Sequence, residues 1–445
     1  MLLPDGRTME SRLPRDRDVW RIAAPMILSN VSVPLLGMVD TGVTGHLESP
    51  VYLGAVAIGS TIFGFLYTGM NFLRMGTTGI AAQRYGARDN DGLRVSLGQA
   101  LIVASLIAAM LILLQIPIGR LAVHVIGADT EVRHWSLMYF LTRIWSAPAT
   151  LANFVLIGWF LGLQNARVPL IMFLTINISN IILDLLFVLS FGMKVEGVAL
   201  ASVIAEYLGL AVGLGFAARA LRRYPGRWRM SMLRNVREYA AFFAINSNLL
   251  VRTMALVFTF AFVTAQGARL GGLILAANAV LMNLQNLTAF GLDGIAHAAE
   301  ALVGKAIGEQ RYEAIARSVR LTLKWSLFFS LGFCLAYAVG GPLLIRLLTD
   351  LPEVRDTALR YLPWLVVSPL ISVWSFLYDG VYVGATRARE MRDIMVISTL
   401  IVFLPAWYLL QGLGNDGLWL AFTLFMASRG IGMHVGYRRK ILPAP

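Results

Sequence analysis

Trp20-Arg-Ile-Ala-Ala-Pro-Met-Ile-Leu-Ser-Asn30-Val-Ser-Val-Pro34-Leu-Leu-Gly-Met-Val-Asp40-Thr-Gly-Val-Thr-Gly45 is the stretch whose reading decides the fold. It is apolar over the length needed to cross a bilayer, about 20 residues, yet it carries one acid, Asp40. An ionised carboxylate at the centre of a membrane helix costs about 2.5–3.5 kcal/mol on insertion scales, so it requires a partner, water or a proton. At helical period Asn30, Gly37, Asp40 and Thr44 share a stripe, which predicts one polar face turned inward. Pro34 lies mid-segment, where its missing N–H and ring clash loosen the hydrogen-bond ladder. A titratable group beside a weak point in a helix points to a moving part.

Composition extends the reading to the whole chain. Of 445 residues 57% are hydrophobic and 14% charged, and the mean hydropathy is +0.68. These values belong to a polytopic membrane protein. A single cysteine, Cys334, excludes a disulfide framework, and the five histidines show no HExxH spacing. The polar start, with no short apolar core and cleavage site, does not read as a cleaved signal peptide.

Apolar windows recur at 19–43, 52–74, 95–118, 134–159, 167–190, 195–218, 238–262, 271–296, 321–341, 358–383, 393–411 and 415–436, predicting an all-α membrane protein of twelve transmembrane helices. Lys and Arg concentrate in the two tails and the even-numbered connections, which places both termini in the cytoplasm. That distribution accounts for the net charge of +13 without nucleic acid. The basic stretch Arg219-Ala-Leu-Arg-Arg-Tyr-Pro-Gly-Arg-Trp-Arg229 marks a boundary: residues 1–221 form an N-terminal lobe, 222–236 a cytoplasmic linker and 237–445 a C-terminal lobe. Gly162-Leu-Gln-Asn-Ala-Arg167 is echoed by Gly384-Ala-Thr-Arg-Ala-Arg389, and Glu196-Gly-Val-Ala-Leu-Ala201 by Asp416-Gly-Leu-Trp-Leu-Ala421. The echoes fall at corresponding places in the halves, so the two six-helix lobes are pseudo-symmetric copies.

Polar residues inside these windows are the candidates for chemistry. Asn177, Asn180 and Asp184 share a face of the fifth segment at i, i+3, i+7, and Ser202 and Glu206 are i, i+4 on the sixth. Two carboxylates, Asp40 and Asp184, facing one cavity would resist joint ionisation and take up a proton; with Asn180 and Ser202 the same oxygens also suit Na⁺, a hard cation. Tyr139 and Asn153 in segment four, and Asn278 and Met282 in segment eight, are candidates to line a substrate cavity. An unpaired Arg252 in segment seven would be costly, which predicts a structural pair with Asp379 or Asp293. Gly412-Leu-Gly-Asn-Asp-Gly417 fits GxGxxG but follows no strand, and no nucleotide site or enzyme signature is evident; no cofactor beyond a coupling ion is expected.

The chain resembles the multidrug and toxic compound extrusion (MATE) family, in its DinF-like branch. The resemblance rests on Met38-Val-Asp-Thr-Gly-Val-Thr-Gly-His-Leu47, Phe72-Leu-Arg-Met-Gly-Thr-Thr-Gly79, Gly158-Trp-Phe-Leu-Gly-Leu-Gln-Asn-Ala-Arg167, Phe290-Gly-Leu-Asp-Gly-Ile-Ala-His-Ala-Ala-Glu-Ala-Leu-Val-Gly304 and Asp379-Gly-Val-Tyr-Val-Gly-Ala-Thr386. It implies a V of two lobes and cation-coupled antiport of amphipathic, often cationic compounds by alternating access. The family's ion site falls on Asp40, Asn180, Asp184 and Ser202, with bending at Pro34. The family's other branch uses an acid in helix seven, where this chain has Arg252, which favours H⁺ over Na⁺. The rival is a lipid-linked saccharide flippase, for which the deep basic residues recognised, Arg143 and Arg252, are too few. A monomer in the cell inner membrane is expected.

Overall fold

The computed structural model describes residues 12–45, 49–127, 129–229, 231 and 236–442; within these, the side chains of 33–38, 40, 41, 43–45, 236–238 and 241 are not described. Among the described residues twelve long helices follow one another: α1 Asp16–Gly45, α2 Pro50–Gly86, α3 Asn90–Leu113, α4 Thr130–Gly162, α5 Arg167–Ser190, α6 Val195–Arg223, α7 Val236–Arg269, α8 Gly272–Gly308, α9 Tyr312–Leu348, α10 Pro352–Gly384, α11 Ala388–Leu413 and α12 Asn415–Ile441. A further short helix, Gln115–Ile126, continues α3 beyond a break at Leu114. Eleven helices among the described residues are long and apolar enough to cross a membrane, and α1 completes the twelve. Most outrun their apolar windows. At 1.5 Å per residue the 37 residues of α8 rise about 55 Å, well beyond a hydrocarbon core of about 30 Å.

The helices form the two six-helix lobes that the repeats predict. In the first lobe α2 packs on α4 and α5 lies along α6, with α1 against α5; in the second α8, α9, α10 and α12 pack together, and α7 lies along α11. Helix irregularities have local causes. Pro148 follows the tight turn Ile144–Ser146 within α4, and Pro405 follows a π-helical turn, Ser398–Phe403, in α11. A second π-helical turn, Leu185–Ser190, begins immediately after Asp184 and has no proline to explain it. Such turns recur at functional sites.

The lobes meet where α8 packs on α1 and on the second half of α2. Near the ends of α2 and α8 the approach is backbone to backbone. A Cβ on Gly86 would lie 2.1 Å from the Lys305 carbonyl oxygen, and one on Gly308 would lie 2.0 Å from that of Gln83. Only glycine permits this spacing. Side chains reinforce it: Gln83 Nε2 donates to the Gly384 carbonyl at 3.0 Å and Gln164 Nε2 to that of Ala301 at 2.7 Å.

The linker is less free than its charge implies. After Arg223 the chain leaves helix, and Asp91 at the start of α3 accepts from the Arg227 N–H and from Arg229 Nε, both at 2.7 Å.

Candidate functional site

Asp184 is wholly buried, and Asn177, Asn180 and Ser202 are almost so. The i, i+3, i+7 spacing on α5 turns Asn177, Asn180 and Asp184 toward α1 and α6. Asn180 satisfies its neighbours best with its nitrogen facing Asp184: Nδ2 then donates to Asp184 Oδ2 at 3.1 Å, while Oδ1 accepts from the Ser202 N–H at 3.1 Å and its hydroxyl at 3.3 Å. Asn177 Nδ2 donates to Ser32 Oγ at 2.7 Å, tying α5 to α1. Asn30, two residues earlier, donates to the Phe290 carbonyl of α8 at 3.0 Å, so one turn of α1 touches both lobes. Asp40 and Pro34 lie within α1, but their side chains fall outside the described residues.

The second lobe holds its own ionic centre. Asp379 on α10 receives Arg252 from α7 and, at 2.9 Å, Arg429 from α12. Arg429 also lies over the Phe425 ring, 5.4 Å from its centroid. Between the lobes Arg74 Nη1 lies 3.1 Å from Glu300 Oε2, and His297 Nδ1 lies 3.4 Å from both Arg74 Nη1 and Glu300 Oε1. Arg74 and Arg429 thus join Arg252 as buried basic residues, whereas Arg143, the other deep candidate of the sequence, is half-buried. The signal was present, since both Arg74 and Arg429 sit inside apolar windows: Arg74 ends the window 52–74, where a charge normally reaches the surface, but Arg429 lies about two turns inside the window 415–436.

The MatE family profile matches residues 25–186 and again residues 249–408. The chain belongs to the MatE family. The two MatE matches cover α1 to α5 and α7 to α11, which is the duplication read from the short repeats. Over 426 residues the chain is 43% identical to the DNA damage-inducible protein F of Escherichia coli (strain K12), spanning 95% of this chain and 92% of that protein. It is 22% identical to the multidrug resistance protein NorM of Vibrio parahaemolyticus serotype O3:K6 (strain RIMD 2210633) over 94% of each chain. The fold is similar to that of an outward-facing multidrug resistance MATE family transporter, with a TM-score of 0.83 and 19% identity over 95% of both chains.

In this MatE chain the expected cavity residues take specific partners. Tyr139 is fully buried, its ring lying in the notch left by Gly59 and its hydroxyl 3.3 Å from Ser60 Oγ and bonded by Arg143. Asn153 Nδ2 donates to Glu206 Oε2 at 2.8 Å and to its carbonyl at 3.0 Å. Asn278 exchanges bonds with Asn415 at 2.7 and 3.0 Å and accepts from Trp419 Nε1 at 3.0 Å. Gln285 Oε1 accepts from Ser368 at 2.9 Å, and Met282 packs half-buried against the second lobe's core. The polarity of α8 is therefore spent largely on helix-to-helix bonds, because amides buried between apolar helices must satisfy one another.

Proposed function

We propose that the chain is a cation-coupled multidrug antiporter, driven by H⁺, that exports amphipathic and often cationic compounds. The observation that carries the reading is the buried Asp184–Asn180–Ser202 cluster, bonded through Asn177 to the helix that bears Asp40. From outside, a proton neutralises Asp40 and Asp184, α1 rearranges at Pro34, and bound compound is displaced; inward release of the proton resets the carrier. Any ligand that drives this cycle must bind one state better than the other. The joined ends of α2 and α8 lie on the side of the termini, which supports an outward-facing state if both termini are cytoplasmic. The relatives' names support multidrug export, and a monomer in the inner membrane suits a chain that carries both lobes.

Proton coupling is favoured over Na⁺ because Arg252 stands in α7 and is already matched by Asp379. The flippase alternative is weakened by the same pairing, since Arg74 meets Glu300 while Arg252 and Arg429 share Asp379 and are balanced by nearby Asp293, which leaves little net positive charge for a pyrophosphate. The test is dye transport in proteoliposomes with ΔpH and Na⁺ gradients imposed separately. Transport should follow ΔpH, and Asp40→Asn or Asp184→Asn should abolish it while the protein stays folded. Transport that follows Na⁺ alone, or survives both substitutions at normal expression, would reject the scheme.

A further inference from the structure

The cycle above leaves the half-buried carboxylate of Glu206 in the first lobe unused. Glu206 lies one turn beyond Ser202 on α6, about 6 Å further along the helix axis. Its carboxylate accepts from Asn153 at 2.8 Å. On the same face of α4, three residues before Asn153, stands Thr150. The Asn153 side-chain Oδ1 is buried, in a residue 2% exposed, and finds no hydrogen-bond partner among the described residues, while the Thr150 hydroxyl, equally buried, lies beside Glu206 and Tyr67. A buried acceptor of this kind calls for a ligand, an ion or water.

The surroundings indicate which ligand. Tyr67 reaches this group from α2, bonded to Ser146 at 2.8 Å and set edge-on against Phe154 at 6.5 Å. The Arg143 guanidinium lies 5.1 Å from the Phe63 ring centroid and 5.5 Å from that of Tyr139, and it acts electrostatically on Glu206. One cation is thus already accommodated against aromatic faces beside this acid. A carboxylate, two oxygen acceptors and ring faces together recognise an organic cation.

We propose that Glu206, Asn153 and Thr150 form a subsite for the positive charge of the substrate, separate from the Asp40 and Asp184 centre that carries the coupling ion. The proposal rests on the efflux reading given above and adds to it the residue that distinguishes charged from uncharged substrates. Selectivity for cations then resides on α6 and α4, and coupling on α1 and α5. The two functions are one helical turn apart, which lets substrate and ion influence each other without sharing a carboxylate.

The experiment uses the full chain in proteoliposomes and measures uptake of tetraphenylphosphonium and of an uncharged amphipathic dye under the same ΔpH. Glu206→Gln keeps the size and the acceptor for Asn153. It should lower the ratio of KM-limited uptake, cation over uncharged dye, by about tenfold or more, the factor expected when one charge-assisted contact is lost. Glu206→Asp keeps the charge, and the ratio should fall less than with Gln; it also serves if the Gln variant does not fold. An unchanged ratio in Glu206→Gln, or equal losses in the Gln and Asp variants, would overturn the proposal while leaving efflux intact. A wild-type chain that transports neither probe under any gradient would overturn the efflux reading and the subsite with it.

Discussion

Replacing Asp379 with Asn tests the ionic centre of the second lobe most directly. The Arg252, Asp379 and Arg429 side chains are 9%, 13% and 2% exposed, so water does little to screen them. With Asp293, which acts electrostatically on Arg429, the four groups sum to zero charge. Asp379→Asn leaves a net charge of +1 and two guanidiniums without their shared carboxylate. Removing one partner of a buried ion pair costs about 3–5 kcal/mol, chiefly the penalty of an uncompensated buried charge. A loss of at least about 3 kcal/mol is therefore expected, measured by equilibrium unfolding in mixed micelles titrated with dodecyl sulfate. The double variant Asp379→Asn/Arg429→Leu restores neutrality, with Arg252 facing Asp293, and should recover about half of that loss although it forfeits the contact with Phe425. A single variant that loses less than about 1 kcal/mol, or a double variant no more stable than the single one, would refute the charge-balance reasoning.

Two further outcomes follow from the contacts between helices. Glu300→Gln leaves Arg74 short of its carboxylate at the lobe interface; in a Cys334→Ser background, maleimide labelling of Ala82→Cys should speed up, and the swap Arg74→Glu/Glu300→Arg should partly reverse this. Labelling unchanged from the parent would show that the pair does not hold the lobes together. Asn278→Ala strands the Trp419 indole N–H and the Asn415 amide, which should cost about 1–3 kcal/mol by the same unfolding titration. Transport lost at full stability would instead mark Asn278 as a ligand contact.

What the amino-acid order determined by itself is set by the solvent. Every backbone polar group in a bilayer must be satisfied internally, so each apolar window can only be a helix, and counting windows yields the bundle. The window 167–190 coincides with α5, Arg167–Ser190. Helical period then places Asn177, Asn180 and Asp184 on one face, because that spacing is a property of a single helix. Period is silent about what stands opposite. Arg429 opposite Asp379, Glu300 opposite Arg74 and Asn415 opposite Asn278 join residues 50, 226 and 137 positions apart. Tyr139 is polar by composition, yet the notch at Gly59 on another helix buries it. Glu206 shares a face with Ser202, but it faces Asn153, whereas Ser202 faces Asn180. These partnerships exist only once helices pack, because a buried polar group takes the nearest group that can satisfy it, and nearness across helices is decided by the tertiary structure.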